Sequence, residues 1–238
     1  MNRSLKSMFL AGLLAPAGHA MAQDAEADTG FYAGANVGVS MLSDVDVDIY
    51  DAVDTVGTTF DNKSAVTFGG VVGYDFGMIR ADVEAQYSRH KVKSLTVNTL
   101  NGSAVTFDPL DRADFCLAVI EDPACAGSGN TFELDGSRIR ELSAMGNLWV
   151  DLPLGAITPY AGGGVGVAGY EIDGEGKAKF AWQLGAGAAF KLSDALELTA
   201  DYRHRQIGHT DVAFDASSGF RVGKLKIDSL TAGVRFRF

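Results

Sequence analysis

Residues 79–90 read IRADVEAQYSRH, and apolar and polar residues alternate without a break from Ile79 to Ser88. In an extended chain successive side chains point to opposite faces. Ile79, Ala81, Val83, Ala85 and Tyr87 therefore share one face, and Arg80, Asp82, Glu84, Gln86, Ser88 and His90 share the other. A strand with one wholly apolar face and one charged face must place the two in different surroundings. The pattern recurs. Phe31, Ala33, Ala35, Val37, Val39 and Met41 face away from Tyr32, Gly34, Asn36, Gly38 and Ser40. Val66, Phe68, Gly70, Val72, Tyr74 and Phe76 form a third apolar face, and Leu142, Ala144, Gly146, Leu148, Val150 and Leu152 a fourth.

The second half of the chain repeats the first. YAGGGVGVA from Tyr160 matches YAGANVGVS from Tyr32, and ADYRHR from Ala200 matches AQYSRH from Ala85. Phe180, Trp182, Leu184, Ala186, Ala188 and Phe190 supply a further apolar face, and the final residues TAGVRFRF alternate as SAMGNLWVDL does. Four strands repeated predict eight. The expected connections alternate in length: short around Gly77 and Met78, 153–158, and Ser193 and Asp194, and longer at 42–63, 91–136, 171–179 and 206–225. Short turns at one end and long loops at the other are the pattern of a barrel that crosses an outer membrane. A soluble lipocalin-like barrel or a β-sandwich also has one apolar face per strand, turned inward. Here the opposite faces carry Arg80, Asp82, Glu84, Asp201, Arg203, Arg235 and Arg237, and aromatic residues sit near the strand ends as interface girdles do. The expectation is an all-β, transmembrane, antiparallel up-and-down β-barrel of eight strands, with long extracellular loops and short periplasmic turns. An aromatic strand at a chain end is an aggregation hazard in water. In a closed barrel it pairs with the first strand, near Phe31, and leaves no edge.

The two ends suit export. Arg3 and Lys6 precede an apolar run at 8–15, and Ala20, Met21 and Ala22 form a small-residue site before Gln23. This order predicts a signal peptide over residues 1–22, cut between Ala22 and Gln23, and a barrel domain over 23–238. An N-terminal anchor is the other reading. Cleavage removes two bases and no acid, so the formal charge of −10 becomes −12. That acidity argues against a nucleic-acid partner. Cys116 and Cys125, in FCLAVIEDPAC, are expected to form a disulfide in an oxidising compartment, contributing about 2–3 kcal/mol. Two cysteines without a nearby histidine are a poor metal site.

GGVVGYDFG with RADVEAQYS, NLWVDLPLGAITPYAGGGVGVA and the terminal TAGVRFRF resemble the small outer-membrane β-barrel proteins, the OmpA/OmpX-like and opacity-protein-like barrels called porin-family proteins. The likeness covers nearly the whole mature chain, is strongest in the strands and is absent in the loops. It implies a Gram-negative outer-membrane location. It also implies that Thr231, Gly233, Phe236 and Phe238 form an assembly signal read by the outer-membrane assembly machinery. Larger members carry a peptidoglycan-binding domain after the barrel, and none is expected after Phe238. In the second long connection, Asn101-Gly102 is a hairpin signal. It predicts either a hairpin above the membrane or a strand pair that makes ten.

Eight strands enclose little more than packed side chains, so lumen charges must pair. Arg80, Arg203, Arg235 and Arg237 are expected to meet Asp82, Glu84, Glu197 and Asp201, as a static polar plug or as a gate on a narrow solute path. An enzyme would need a nucleophile and base. Ser88 and His90 share the lumen face with Glu84, at about 7 Å along the strand, which is marginal; His204 falls on the lipid side near a rim. Asp44, Asp46, Asp48, Asp51, Asp54 and Asp61 in the first loop read as the solvated face of a hairpin, or as a means of bridging lipopolysaccharide phosphates through divalent cations. Haem capture by His209, His90 or Tyr50 has no support in their spacing. No catalytic residue, cofactor or metal is expected. The expected partners are the bilayer with its lipopolysaccharide, the assembly machinery and a host or surface ligand met by the loops. The expected role is envelope structure and surface contact, with a small-solute channel as the alternative and a lipid-modifying enzyme after that.

Overall fold

The computed structural model describes residues 29–120, 125–134, 138–172 and 175–238. Eight strands form a ring: β1 (Gly30–Leu42), β2 (Ala65–Asp75), β3 (Ile79–Leu100), β4 (Arg138–Asp151), β5 (Ile157–Ile172), β6 (Glu175–Lys191), β7 (Leu196–Ile207) and β8 (Leu225–Arg237). Every neighbouring pair is antiparallel. β8 closes the ring on β1, with Tyr32 opposite Arg237 and Ser40 opposite Ser229. The terminal strand is therefore paired on both sides, and the Phe238 amide donates to the Phe31 carbonyl.

The register fixes the tilt. Gly38 leads through Thr67 to Ser88 on β3. In the other direction Ser40, two residues further along, leads through Ser229, Arg203, Gly185, Gly162 and Trp149 to Arg80. One circuit thus slips the register by about ten residues. With eight strands this corresponds to a tilt of about 40°. At that tilt the apolar face of β4, from Leu142 to Leu152, spans about 25 Å, the height of an outer-membrane apolar band.

Burial alternates strictly along β4, but in the sense opposite to a soluble barrel. Leu142, Leu148 and Val150 are exposed, while Asn147, Trp149 and Asp151 are buried. Phe31 packs edge-on to Tyr74, which packs against Phe76, in the periplasmic girdle. Phe68 and Tyr87 pack together near the extracellular rim. Among the described residues no helix is long and apolar enough to cross a membrane; strands make the crossing. The lumen accommodates its aromatic side chains because glycine lies beneath them. A Cβ on Gly187 would stand 2.9 Å from the Tyr160 ring, and one on Gly73 2.7 Å from the Tyr32 ring.

Outside the membrane the chain is more ordered than loops require. β3 runs on through Leu100. Strands Val45–Tyr50, Thr55–Asn62, Thr210–Ala213 and Gly219–Val222 pair beside it into an extracellular sheet. Asn101 and Gly102 both take positive φ and close a tight hairpin from β3 to Ser103–Ala104. That hairpin stands above the membrane, and the ring holds eight strands, not ten. β5 and β6 stay paired as far as Ile172 and Glu175, so the connection expected at 171–179 is mostly strand. An α-helix, α1 (Pro109–Phe115), interrupts the β structure, with the Asp108 carboxylate accepting from the Leu110 and Asp111 amides at its start.

Candidate functional site

The lumen is filled in layers. In the lowest, Arg80 donates to both carboxylate oxygens of Asp151, at 2.5 and 3.0 Å. Its guanidinium lies 4.7 Å from the centre of the Tyr160 ring and 5.6 Å from that of Tyr32. Arg235 packs on the same two rings and binds Glu197 at 3.0 Å. Arg237 joins Glu197 at 3.0 Å to Asp75 at 2.7 Å. Above them Arg203 pairs with Glu84 and Asp201, and Arg205 with Glu84 and with Glu141 at 2.8 Å. Asp82 makes no ion pair among the described residues. It accepts instead from the Tyr32 hydroxyl at 2.6 Å, the Asn147 amide at 2.7 Å and the Trp149 indole at 2.9 Å. The Tyr160 hydroxyl donates to Asp201 in the same way. Phenol, indole and amide donors thus hold Asp82 without a guanidinium partner, and at Asp201 the Tyr160 phenol adds to the Arg203 pair. A cavity among these groups measures ≈ 20 Å³, about the room of one water.

A second, apolar layer closes the extracellular mouth. Leu42, Val45, Val47, Ile207, Val222 and Leu225 are buried in one cluster with the upper lumen residues Ile139, Tyr170 and Ile227. The inner face of the extracellular sheet provides its roof: Val222 lies opposite Val47, and Val45 opposite Phe60.

Beside this roof sits a disulfide-tied lid. Cys116 and Cys125 are bonded, with Cα atoms 5.8 Å apart. Val97, Cys116 and Phe132 form its buried centre, with Phe107 and Phe115 packed around them. Arg112 stacks 4.3 Å from the Phe132 ring centre and donates to the carbonyls of Gly129, Thr131 and Ala126. The solvent side of this assembly is acidic, with Asp44, Asp46, Asp48, Asp108, Asp111 and Asp211 exposed.

The family model described as "Outer membrane protein beta-barrel domain" matches residues 10–238. The chain belongs to this family. As an outer-membrane β-barrel it has its place in the cell outer membrane, with the bilayer around its wall. An uncharacterized protein of Brucella suis biovar 1 (strain 1330) is 28% identical over 168 residues, which cover 62% of this chain and 54% of the relative. A relative from Brucella abortus (strain 2308) is 29% identical over the same shares. The chain spans about half the length of the curated relatives it matches. Among solved structures, the outer membrane protein OprG from Pseudomonas aeruginosa aligns with a TM-score of 0.57 at 14% identity, covering 88% of this chain and 97% of that one. That likeness concerns the fold alone.

The barrel brings Arg80, Asp82, Glu84, Glu197, Asp201, Arg203 and Arg235 together as buried lumen groups, and holds Arg237 at the periplasmic end at 16% side-chain exposure. Arg203, Arg235 and Arg237 meet acids of the expected set, Glu84, Asp201 and Glu197, and two groups depart from it. Arg80 meets Asp151, and Asp82 takes neutral donors. Arg205, Glu141, Asp151 and Asp75 complete the network. Their signal was present in the alternation, since Arg205 and Arg203 share a face and Asp151 lies opposite Leu152. Thr231 and Arg235 face the lumen, while Phe236 and Phe238 face outward. Ala22 and Gln23 lie outside the described residues.

Ser88 and His90 are closer than strand spacing suggests. The Ser88 Oγ stands 3.1 Å from the His90 Nε2, and Ser40 Oγ stands 3.2 Å from the same nitrogen. The side chains lean together, but both residues have no exposed surface. His204 bonds Asp228 on the outer wall. His209 is exposed whereas His90 is sealed, so they share no solvent face. The first-loop acids serve local contacts: Asp51 accepts from the Val53 and Asp54 amides, which holds its carboxyl below the usual range, Asp46 accepts from Thr59, and Asp61 pairs with Lys93. Among the described residues no three such side chains converge as metal ligands.

Proposed function

We propose that this barrel is a non-enzymatic surface-display protein of the outer membrane, serving envelope structure and contact through its extracellular sheet and lid. One observation carries this reading: the lumen is blocked twice, by an ion-paired layer and by an apolar roof, while the loops are built into a paired, disulfide-tied platform. A solute path would have to break buried pairs and part the roof. Catalysis at Ser88 and His90 would need access that their burial denies. The chain as a whole is proposed to start with a signal peptide over residues 1–22. The C-terminal Thr231, Gly233, Phe236 and Phe238 are proposed to be read by the assembly machinery, and lipopolysaccharide to surround the wall. The exposed acids favour a surface ligand carrying positive charge.

The test is attachment of non-adherent bacteria displaying the protein to a polylysine-free, matrix-protein-coated surface. Display of the wild type should raise attachment, and deletion of residues 105–134 should abolish the gain while the ring stays folded. No gain on any coated surface contradicts surface contact as its role.

A further inference from the structure

Where β3 and β4 leave the membrane on the extracellular side, the last lipid-facing residues of the apolar band are Tyr87 and Leu142. Two residues further along each strand come Arg89 and Arg140, and two further Lys91 and Arg138. Arg89 lies directly opposite Arg140, and Lys91 directly opposite Arg138. All four are exposed and point outward. Like charges directly opposite on neighbouring strands destabilise a sheet. Arg140 pairs with Glu171 at 2.9 Å. Arg89, Lys91 and Arg138 have no ion pair among the described residues. A chain of net charge −10 thus gathers four cations at the level of the lipid headgroups, on two adjacent strands. On the opposite side of the ring, Lys226 stands at this level two residues from Asp228.

A second observation lies directly beneath. A groove of ≈ 540 Å³ opens on the outer wall below Arg140, lined by Tyr87, Leu142, Ala144, Val167, Gly169 and Ala178. Gly169 sits between Leu142 and Ala178 in the register, and these small residues leave the depression. It opens to the hydrocarbon layer, so its natural occupant is an acyl chain.

We infer that Arg89, Lys91, Arg138 and Arg140 bind a phosphate of an outer-leaflet lipid whose acyl chain fills the groove below. Guanidinium groups bind phosphate oxygens in pairs, and phosphate between the two strands removes the repulsion that the bare quartet carries. Glu171 sets a limit on the site, since it holds Arg140 from one side. This deepens the lipopolysaccharide contact proposed above and names its place. It is independent of what the loops bind.

The experiment uses the full barrel in phosphatidylcholine nanodiscs doped with bisphosphorylated lipid A, read by native mass spectrometry after release. The wild type should retain lipid A over its dephosphorylated form, and R89Q/K91Q/R138Q/R140Q should retain at least about tenfold less. K226Q, a single cation on the far wall, should match the wild type. Removing like charges should not hinder folding, and the unboiled gel shift of the variant checks this. The smaller variant K91Q/R138Q, which leaves the Arg140–Glu171 pair intact, should show an intermediate loss. Equal retention by wild type and variants, or equal retention of the dephosphorylated lipid, overturns the inference. Full displacement of lipid A by inorganic phosphate also overturns it, since the site would then hold free phosphate and not a lipid.

Discussion

At the scale of single residues, the lumen pairs are the most exacting feature. Arg80 and Asp151 are 1% and 3% exposed, so removing one partner leaves the other without charge compensation or water. Arg80→Leu should lower stability by about 3–5 kcal/mol, read as a shifted urea midpoint in lipid vesicles. Replacing both, as Arg80→Met with Asp151→Leu, should recover much of the loss; a single variant as stable as wild type contradicts the pairing. Asp215 makes a prediction in pH. Its carboxylate accepts from the amides and hydroxyls of Ser217 and Ser218 at the tip of the last extracellular hairpin, which pushes its pKa down to about 2. A depressed carboxylate stabilises above its ordinary value, near 3.8, and that support is lost as pH falls through about 2. Protection of the Ser217 and Ser218 amides, measured against the intrinsic exchange rate at each pH, should persist at pH 3 and fall as pH passes through about 2; loss of protection already at pH 4 contradicts it. Which face each residue takes was legible in the sequence, because period two determines it. Which acid each arginine meets was not, because the partners of Arg80 and Arg205 depend on how the register slips around the ring.

At the scale of elements, the second extracellular connection holds the least expected structure. The export signal with two cysteines announced a bridge and Asn101-Gly102 a turn. Neither announced that Phe107, Phe115 and Phe132 would gather over Val97, since three phenylalanines in a loop carry no periodicity. The lid and the ring share β3 but have separate cores. Replacing both Cys116 and Cys125 by serine should therefore cost the lid about 2–3 kcal/mol and leave the ring unchanged. Limited proteolysis of intact vesicles should then cut within residues 105–134, while the unboiled protein still migrates as a folded barrel. Loss of the gel shift together with the lid would show that the two are one cooperative unit. The extension of β3 to Leu100 also escaped the reading. The alternation in KVKSLTVNTL changes phase at Ser94 and Leu95, which are both buried, and its outward lysines resemble a loop when judged by charge alone.

At the scale of the whole molecule, ring closure was readable because the inverted faces, the even strand count and the aromatic end of the chain all required it. The sealed mouth was not readable. Leu42 and Val47 come from one stretch of chain and Val222 and Ile227 from another far from it, and only the fold brings them over one opening. The consequence is a barrel whose interior is a core and whose useful surface is its rim. Single-channel recording of the purified barrel in planar bilayers tests this most directly. A lumen closed by both layers should give no steady conductance steps across the voltage range that the bilayer withstands. Regular ohmic steps from the wild type, enlarged by Arg203→Ala, would show that the lumen conducts and that the two layers do not seal it.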